Sequence, residues 1–445
     1  MIIIIETGIS RNSQFGTSGR IIVVMDAVVM NGTRIASIIG SGPWAGPAHE
    51  SLFNVIARAI ADGRISVGTR LPSERELAQA VGLSRTTTSR TYATLREQSF
   101  VETKRGSGSV VRLPDVPGGR VDHLLTPAGE DEAEIDLTCT ASVAPSWVLE
   151  AYERAVTQLN AYLPGTGYYP SGLPVLRELI ADRYTGRGVR TDADQILITS
   201  GAFGAVAIAV RALIQGRGRV LIESPTYPNA IATLEGAGAS LVPYPLELGE
   251  NGHYWDIEAM EHMASRSRAS AAYLIPDYHN PTGALLPEPL RPQLAAALRR
   301  NGVVPIFDES LTELGLDGAP TPTPMAAFIP DSITAGSTSK IFWGGLRVGW
   351  MRIPQHRIES MASSRLALDL GAPVLEQLVA VELMREHDTI VGDYRRRLRT
   401  ARDGLAAQVR EHLPSWQVVG PAGGMALWCR LPEARSGSRA IAARK

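Results

Sequence analysis

Lysine is almost missing from this chain. Of its 44 basic residues only Lys104, Lys340 and Lys445 are lysines, so arginine serves wherever a general positive charge is enough. A lysine kept in such a background calls for a reason of its own, such as amine chemistry that a guanidinium does not perform. Cysteine is equally sparse: Cys139 and Cys429 alone build neither a disulfide framework nor a metal cluster, and the chain reads as cytoplasmic. No apolar run approaches the roughly 20 residues of a membrane span. A secretory signal is also unexpected, because Glu6, Arg11 and Asp26 break up the isoleucines and valines of residues 1–30. A start at Met25 or Met30 fits the same pattern.

What is present is enough for two or three domains. The 445 residues are 44% hydrophobic and 20% charged, with a net charge of −1, the balance of a globular protein with ample core. The charge is unevenly spread. Between Ser51 and Arg112 ten basic residues face five acidic ones, a local excess that suits a polyanion.

That basic segment has a legible order. From Ser51, Leu52, Val55, Ile56, Ala59 and Ile60 share one helical face, and Gly63 ends it. Ser73 is placed to cap a second helix, with Glu76 in the capping-box position. After the turn Val81-Gly82-Leu83, Ser84 caps a third helix; Tyr92 and Leu95 face inward, while Arg85, Thr86, Thr87 and Arg90 face out. Two short β-runs from Phe100 to Leu113 flank Lys104–Gly108 as a hairpin. The expected fold is an N-terminal winged helix-turn-helix, mainly α, over residues 48–112, behind an extension of uncertain character over 1–47. A proline-, glycine- and acid-rich linker follows over 113–134.

Residues 135–445 alternate strand-like and helix-like segments. Gln195–Thr199, Arg219–Glu223, Ala271–Ile275, Val303–Phe307 and Ser332–Gly336 read as strands, and Ala202–Ile214 and Glu288–Arg300 as helices. This predicts an α/β domain with a mainly parallel sheet covered by helices.

Short polar and arginine side chains at the start of a recognition helix meet base edges and phosphates of double-stranded DNA, and Ser84-Arg85-Thr86-Thr87 supplies them, with Arg85 suited to guanine. A charged protein-binding helix is the plainer alternative. The segments Leu71-Pro72-Ser73-Glu74-Arg75-Glu76-Leu77-Ala78 and Ser84-Arg85-Thr86-Thr87 resemble the GntR family of winged-helix regulators. That resemblance implies Arg75, Arg85, Thr86 and Thr87 as DNA contacts, with Arg105 and Gly106 of the wing entering the minor groove. Relatives often carry an arginine two residues after the second threonine; here Ser89 stands there and Arg90 follows.

A second constellation surrounds Lys340. Ser337 and Ser339 offer hydroxyl donors, and Arg347, seven residues past the lysine, offers a bidentate charge for a phosphate. Lys340 is the natural imine former; otherwise it is a surface lysine in a serine-rich loop. Thr199–Ala205 turns from strand to helix with free amides for a phosphate. Tyr227 suits stacking on a pyridine ring, and Asn280, fixed by Pro281 and Gly283, suits donation to a ring phenolate oxygen. Asp308, ending an apolar strand, suits a pyridinium nitrogen.

In this order the segments resemble the class I/II aminotransferases, the fold-type I enzymes of pyridoxal 5′-phosphate (PLP), from about Asp136 onward. The resemblance implies Lys340 as the Schiff-base and catalytic lysine, Asp308 as the ring-nitrogen partner and Asn280 as the phenolate donor. It further implies Tyr227 as the stacking ring, and Gly201, Ala202, Ser337, Ser339 and Arg347 as the phosphate cup. Gly167–Pro174 resembles the segment by which a neighbouring subunit reaches the cofactor, through Tyr168 or Tyr169.

Head and body together resemble the MocR subfamily of GntR regulators, over roughly Ala48 to Cys429. The likeness implies a homodimeric, PLP-binding, DNA-binding transcriptional regulator with an amino-acid-like effector. An active aminotransferase for amino and 2-oxo acids is the alternative, and a body that only dimerises the head is a third reading. Two departures bear on the choice. Ser310 and Leu311 stand where relatives carry a tyrosine for the phenolate oxygen. The small domain reads as truncated at Lys445, without a match to the arginine that clamps a substrate carboxylate, so sensing ranks above catalysis.

Overall fold

The computed structural model describes residues 2–7, 30–40, 42, 46–61, 64–65, 69–104, 108–112, 144–214, 216–249 and 252–432. The chain divides into two compact units, one holding most of residues 5–136 and the other most of 137–429. The linker anticipated at 113–134 lies outside the described residues.

The first described strand is β1 (Ile2–Thr7). Next comes α1 (Gly32–Ile39), a helix within the extension of residues 1–47, capped by Asn31, whose side chain accepts from the Arg34 amide. Ile35 and Ile39 turn its apolar side inward. Three helices follow: α2 (Ala48–Ala61), α3 (Glu74–Val81) and α4 (Arg85–Glu97). Ser73 caps α3 and Ser84 caps α4, each hydroxyl accepting from the amide three residues on, at 3.2 and 3.1 Å. The anticipated capping box is redirected, however. The Glu76 carboxylate accepts at 2.9 Å from the amide of Gly32, tying α1 to α3. Gly82 ends α3 in the left-handed conformation, φ 67°. Leu52, Ile56, Leu77, Tyr92 and Leu95 share one core with Ile35. Strands β2 (Val101–Lys104) and β3 (Gly108–Val111) pair antiparallel as the wing. A winged helix-turn-helix results, as the pattern predicted.

In the larger unit the strands run in chain order from β4 (Ile196–Thr199) through β5 (Gly218–Ser224) and β6 (Ala239–Pro245). A small antiparallel pair comes next, β7 (Glu247–Gly249) and β8 (Gly252–Tyr254). Then come β9 (Ala271–Leu274), β10 (Val304–Asp308), β11 (Ile333–Ser337) and β12 (Gly349–Arg352). The last two, β13 (Gln417–Val419) and β14 (Ala426–Leu431), belong to a separate small sheet.

Seven strands make one sheet in the order β4-β12-β11-β10-β9-β5-β6. All its pairings are parallel except those of β12, which runs against both β4 and β11. Burial on both faces explains the apolar runs of β4 and β9, which are buried at every position. Two cores flank the sheet. One gathers Leu176, Ile180 and Tyr184 with Leu378 and Val381; the other gathers Leu221, Leu274 and Phe307 with Leu294 and Leu298.

Candidate functional site

Six neighbouring strands deliver the anticipated residues to one edge of the sheet. Gly201 follows β4, Arg347 precedes β12, and Ser337 ends β11 with Ser339 and Lys340 just beyond it; Asp308 ends β10, Asn280 follows β9 and Tyr227 follows β5. Parallel strands all end at the same edge, and the reversed β12 begins there, so chain-distant segments converge.

At the β4 end the backbone makes a cradle. Gly201 has φ 96°, and a Cβ there would lie 2.9 Å from a terminal nitrogen of Arg347. Arg347 donates to the Ser200 carbonyl at 3.0 Å, and Ala202 opens the helix Ala202–Ile214, leaving first-turn amides toward the cradle. Gly349 packs on Gly201 so closely that a Cβ would stand 2.5 Å from its carbonyl carbon.

The turn after β11 is pinned on both sides. Thr338 hydrogen-bonds Val348 through its amide and, at 2.7 Å, its hydroxyl, and its own carbonyl accepts from the Phe342 amide. The Ser339 amide donates to Ser337 Oγ at 3.1 Å. Ser339 Oγ, in contrast, is buried with no protein partner. An orphaned hydroxyl beside a glycine cradle and a guanidinium is the donor set a phosphate ester requires. The residues present therefore fit PLP. Lys340, half-buried, lies one residue further on.

Asp308 is buried, and both its oxygens are engaged. Oδ1 accepts from the Ser310 amide at 2.9 Å and Oδ2 from the hydroxyl of Tyr273 at 2.7 Å. Nothing in the sequence pattern marks Tyr273; the register does. Tyr273 sits opposite Ile306, two residues before Asp308, so both side chains emerge on one face of the sheet. Burial, reinforced by the Asp308 charge, pushes the Tyr273 phenol well above its ordinary range, so it stays a donor. Tyr227 stacks on Phe203 with centroids 5.2 Å apart and planes 16° from parallel. Phe203 is a second residue that the sequence alone does not single out.

Asn280 is held through its neighbours. Arg291 is fully buried and donates to Asp277 Oδ1 at 2.5 Å and to the Leu286 and Thr323 carbonyls. Thr312 donates to the other Asp277 oxygen at 2.7 Å. His279 Nδ1 meets Thr282 Oγ1 at 2.9 Å. Leu311 is itself buried. Behind Ser310 a charged cluster joins Arg183, Glu313 and His387. Burial alone would raise the Glu313 carboxyl, but His387 and Arg183 outweigh it and hold it down at about 2.

On the head, Arg75, Arg85, Thr86 and Arg90 are exposed and Thr87 half-exposed. Arg85, Thr86 and Thr87 form the first turn of α4, and Thr87 Oγ1 lies 2.8 Å from Ser84 Oγ. Arg105 and Gly106 lie outside the described residues. Of the two tyrosines singled out for a neighbouring subunit, Tyr168 is 65% exposed. Tyr169 is half-buried against Tyr162.

Comparison with known proteins agrees with both halves. The family model described as aminotransferase class I and II matches residues 139–444. The model for bacterial regulatory proteins of the gntR family matches 49–111. The uncharacterized HTH-type transcriptional regulator YisV of Bacillus subtilis is 26% identical over 86% of this chain and 84% of its own length. The HTH-type pyridoxine biosynthesis transcriptional regulator PdxR of Corynebacterium glutamicum is 28% identical over 73% of this chain and 69% of its own. Among solved structures, that of LysN, the alpha-aminoadipate aminotransferase of Thermus thermophilus complexed with N-(5′-phosphopyridoxyl)-L-leucine, superposes with a TM-score of 0.58. It is 27% identical and covers 66% of this chain and 76% of that one.

Proposed function

This chain belongs to the class I and II aminotransferase family and carries a gntR-family region ahead of that match, the MocR arrangement; on that premise we propose that it is a DNA-binding transcriptional regulator whose effector body holds PLP covalently at Lys340. The observation that carries the reading is the row of groups along one sheet edge, with the orphaned Ser339 hydroxyl among them. When bound, PLP supplies an aldehyde that condenses reversibly with amines and a ring that withdraws electrons. The chain's part is placement. Gly201, Ala202, Ser337, Ser339 and Arg347 would hold the phosphate, Asn280 would donate to the ring oxygen, Asp308 would serve the ring nitrogen, and Tyr227 would cover the ring.

An amino-acid-like effector that competed with Lys340 for the cofactor would favour one of two states of the body, and its difference in affinity for them would be passed on to the DNA-binding head. The domains are taken as 48–112 and 135–445, joined by 113–134. A homodimer fits the large apolar side chains that one chain leaves exposed, including Leu149, Val156, Leu163, Tyr168, Leu366 and Leu370. Among the described residues no helix is long and apolar enough to cross a membrane, and a cytoplasmic site of action follows from binding DNA.

The second reading, an active aminotransferase, draws on the same family match. The test is one preparation carried through two assays. Borohydride reduction with added PLP, followed by peptide mapping, is expected to place a pyridoxyl group on Lys340, and Lys340→Ala to abolish it. A DNA fragment from upstream of the chain's own gene is then expected to shift in a PLP-dependent way. Absence of the adduct sinks the reading, whereas steady keto-acid turnover with an amino donor moves the chain to the enzymatic one.

A further inference from the structure

We propose that Tyr273 is the positioning residue for Asp308, orienting its carboxylate toward the ring nitrogen and thereby setting how tightly the ring is held. The inference rests on the PLP reading above and concerns a residue that the sequence pattern does not mark.

The plainer account is that a buried tyrosine has simply found an acceptor, as buried hydroxyls must. Other tyrosines of this chain show how that is done. Tyr92 and Tyr244, both buried, donate to the backbone carbonyls of Pro72 and Asp256. Tyr184 reaches the Glu309 carboxylate only at 3.4 Å. Tyr273 differs: it donates at 2.7 Å to Asp308, the carboxylate assigned to the ring nitrogen.

The geometry leaves room for a third partner. A carboxylate offers about four lone-pair positions, and two are taken here, by Tyr273 on Oδ2 and by the Ser310 amide on Oδ1. With a donor fixed at each oxygen, the plane of the carboxylate is set by the protein before any ligand arrives. Preorganisation of this kind strengthens binding by removing the cost of ordering on contact. The tyrosine that relatives carry beyond β10 is replaced here by Ser310 or Leu311, while the phenol of Tyr273 on β9 reaches Asp308.

The experiment uses the full chain and two probes, PLP and its analogue with carbon in place of the ring nitrogen. Affinities of wild type, Tyr273→Phe and Asp308→Asn are measured by absorbance titration, and the thermal midpoint of each unliganded protein is recorded. Loss of a hydrogen bond to a charged group predicts that Tyr273→Phe weakens PLP roughly tenfold or more and leaves the carbon analogue unchanged. Asp308→Asn is expected to show the same selectivity, and Tyr273→Phe added to it to cost nothing more, which reads whether Tyr273 acts through Asp308. Equal loss for both probes, or no loss for either, overturns the proposal while leaving PLP binding intact. Failure of the wild type to bind PLP overturns the underlying reading and this inference with it.

Discussion

Glu223 and His279 meet inside the core, carboxylate Oε2 and ring Nε2 3.2 Å apart, with neither side chain exposed. Glu223 also accepts from Trp255 Nε1 at 2.7 Å and from the Ile275 amide at 2.8 Å. One carboxylate thus ties the end of β5 to the segment that carries Asn280. Removing it strands two donors and a histidine in a dry interior, and such losses cost about 3–5 kcal/mol. Glu223→Ala is therefore expected to lower the unfolding free energy, read from denaturant titration, by that order. A variant of wild-type stability contradicts the role given to this side chain.

Gly201 separates strain from contact. Gly201→Ala puts a methyl in a left-handed position and against the Arg347 guanidinium. PLP affinity is expected to fall at least tenfold in absorbance titration. Gly236, helical and with open space where its Cβ would stand, serves as the comparison. There alanine is expected to leave affinity unchanged.

The head makes its own prediction. Arg85→Ala removes the cation at the first turn of α4 and is expected to weaken specific DNA binding by about 1–3 kcal/mol, relaxing preference at one base pair. Competition gel shifts with single-base operator variants read both effects. A uniform loss across sequences reassigns Arg85 to a phosphate.

Acid stability has an identifiable contributor. The Glu313 carboxyl is held at about 2, below its unfolded value. The stability it gives is complete above the ordinary carboxylate range and is lost as pH falls from there toward 2. Thermal midpoints of wild type and Glu313→Gln are expected to differ near neutrality and to converge across that window. Parallel curves down to the acid limit count against this assignment.

The sequence revealed what local chemistry dictates. Ser73 and Ser84 mark helix starts because the cap is a contact three residues long, and β9 and β10 stand out as apolar runs. Two central-sheet strands went unread for a physical reason. The segment that becomes β12 directly follows a glycine-rich stretch, and β6 has a single buried residue, so neither shows a clean alternation. Tyr273 and the Gly32–Glu76 contact were out of reach because they depend on register and on packing between helices. Lys340 was legible for the opposite reason: it is one lysine among many arginines.

The reversal of β12 has a mechanical corollary. Parallel neighbours are joined by long crossovers, whereas β11 and β12 adjoin through one short excursion, Thr338 to Val348. The amine at its beginning and the guanidinium near its close thus share a single clasp, pinned at Thr338 and Val348. A tug on either one is delivered at once to two adjoining strands of the sheet.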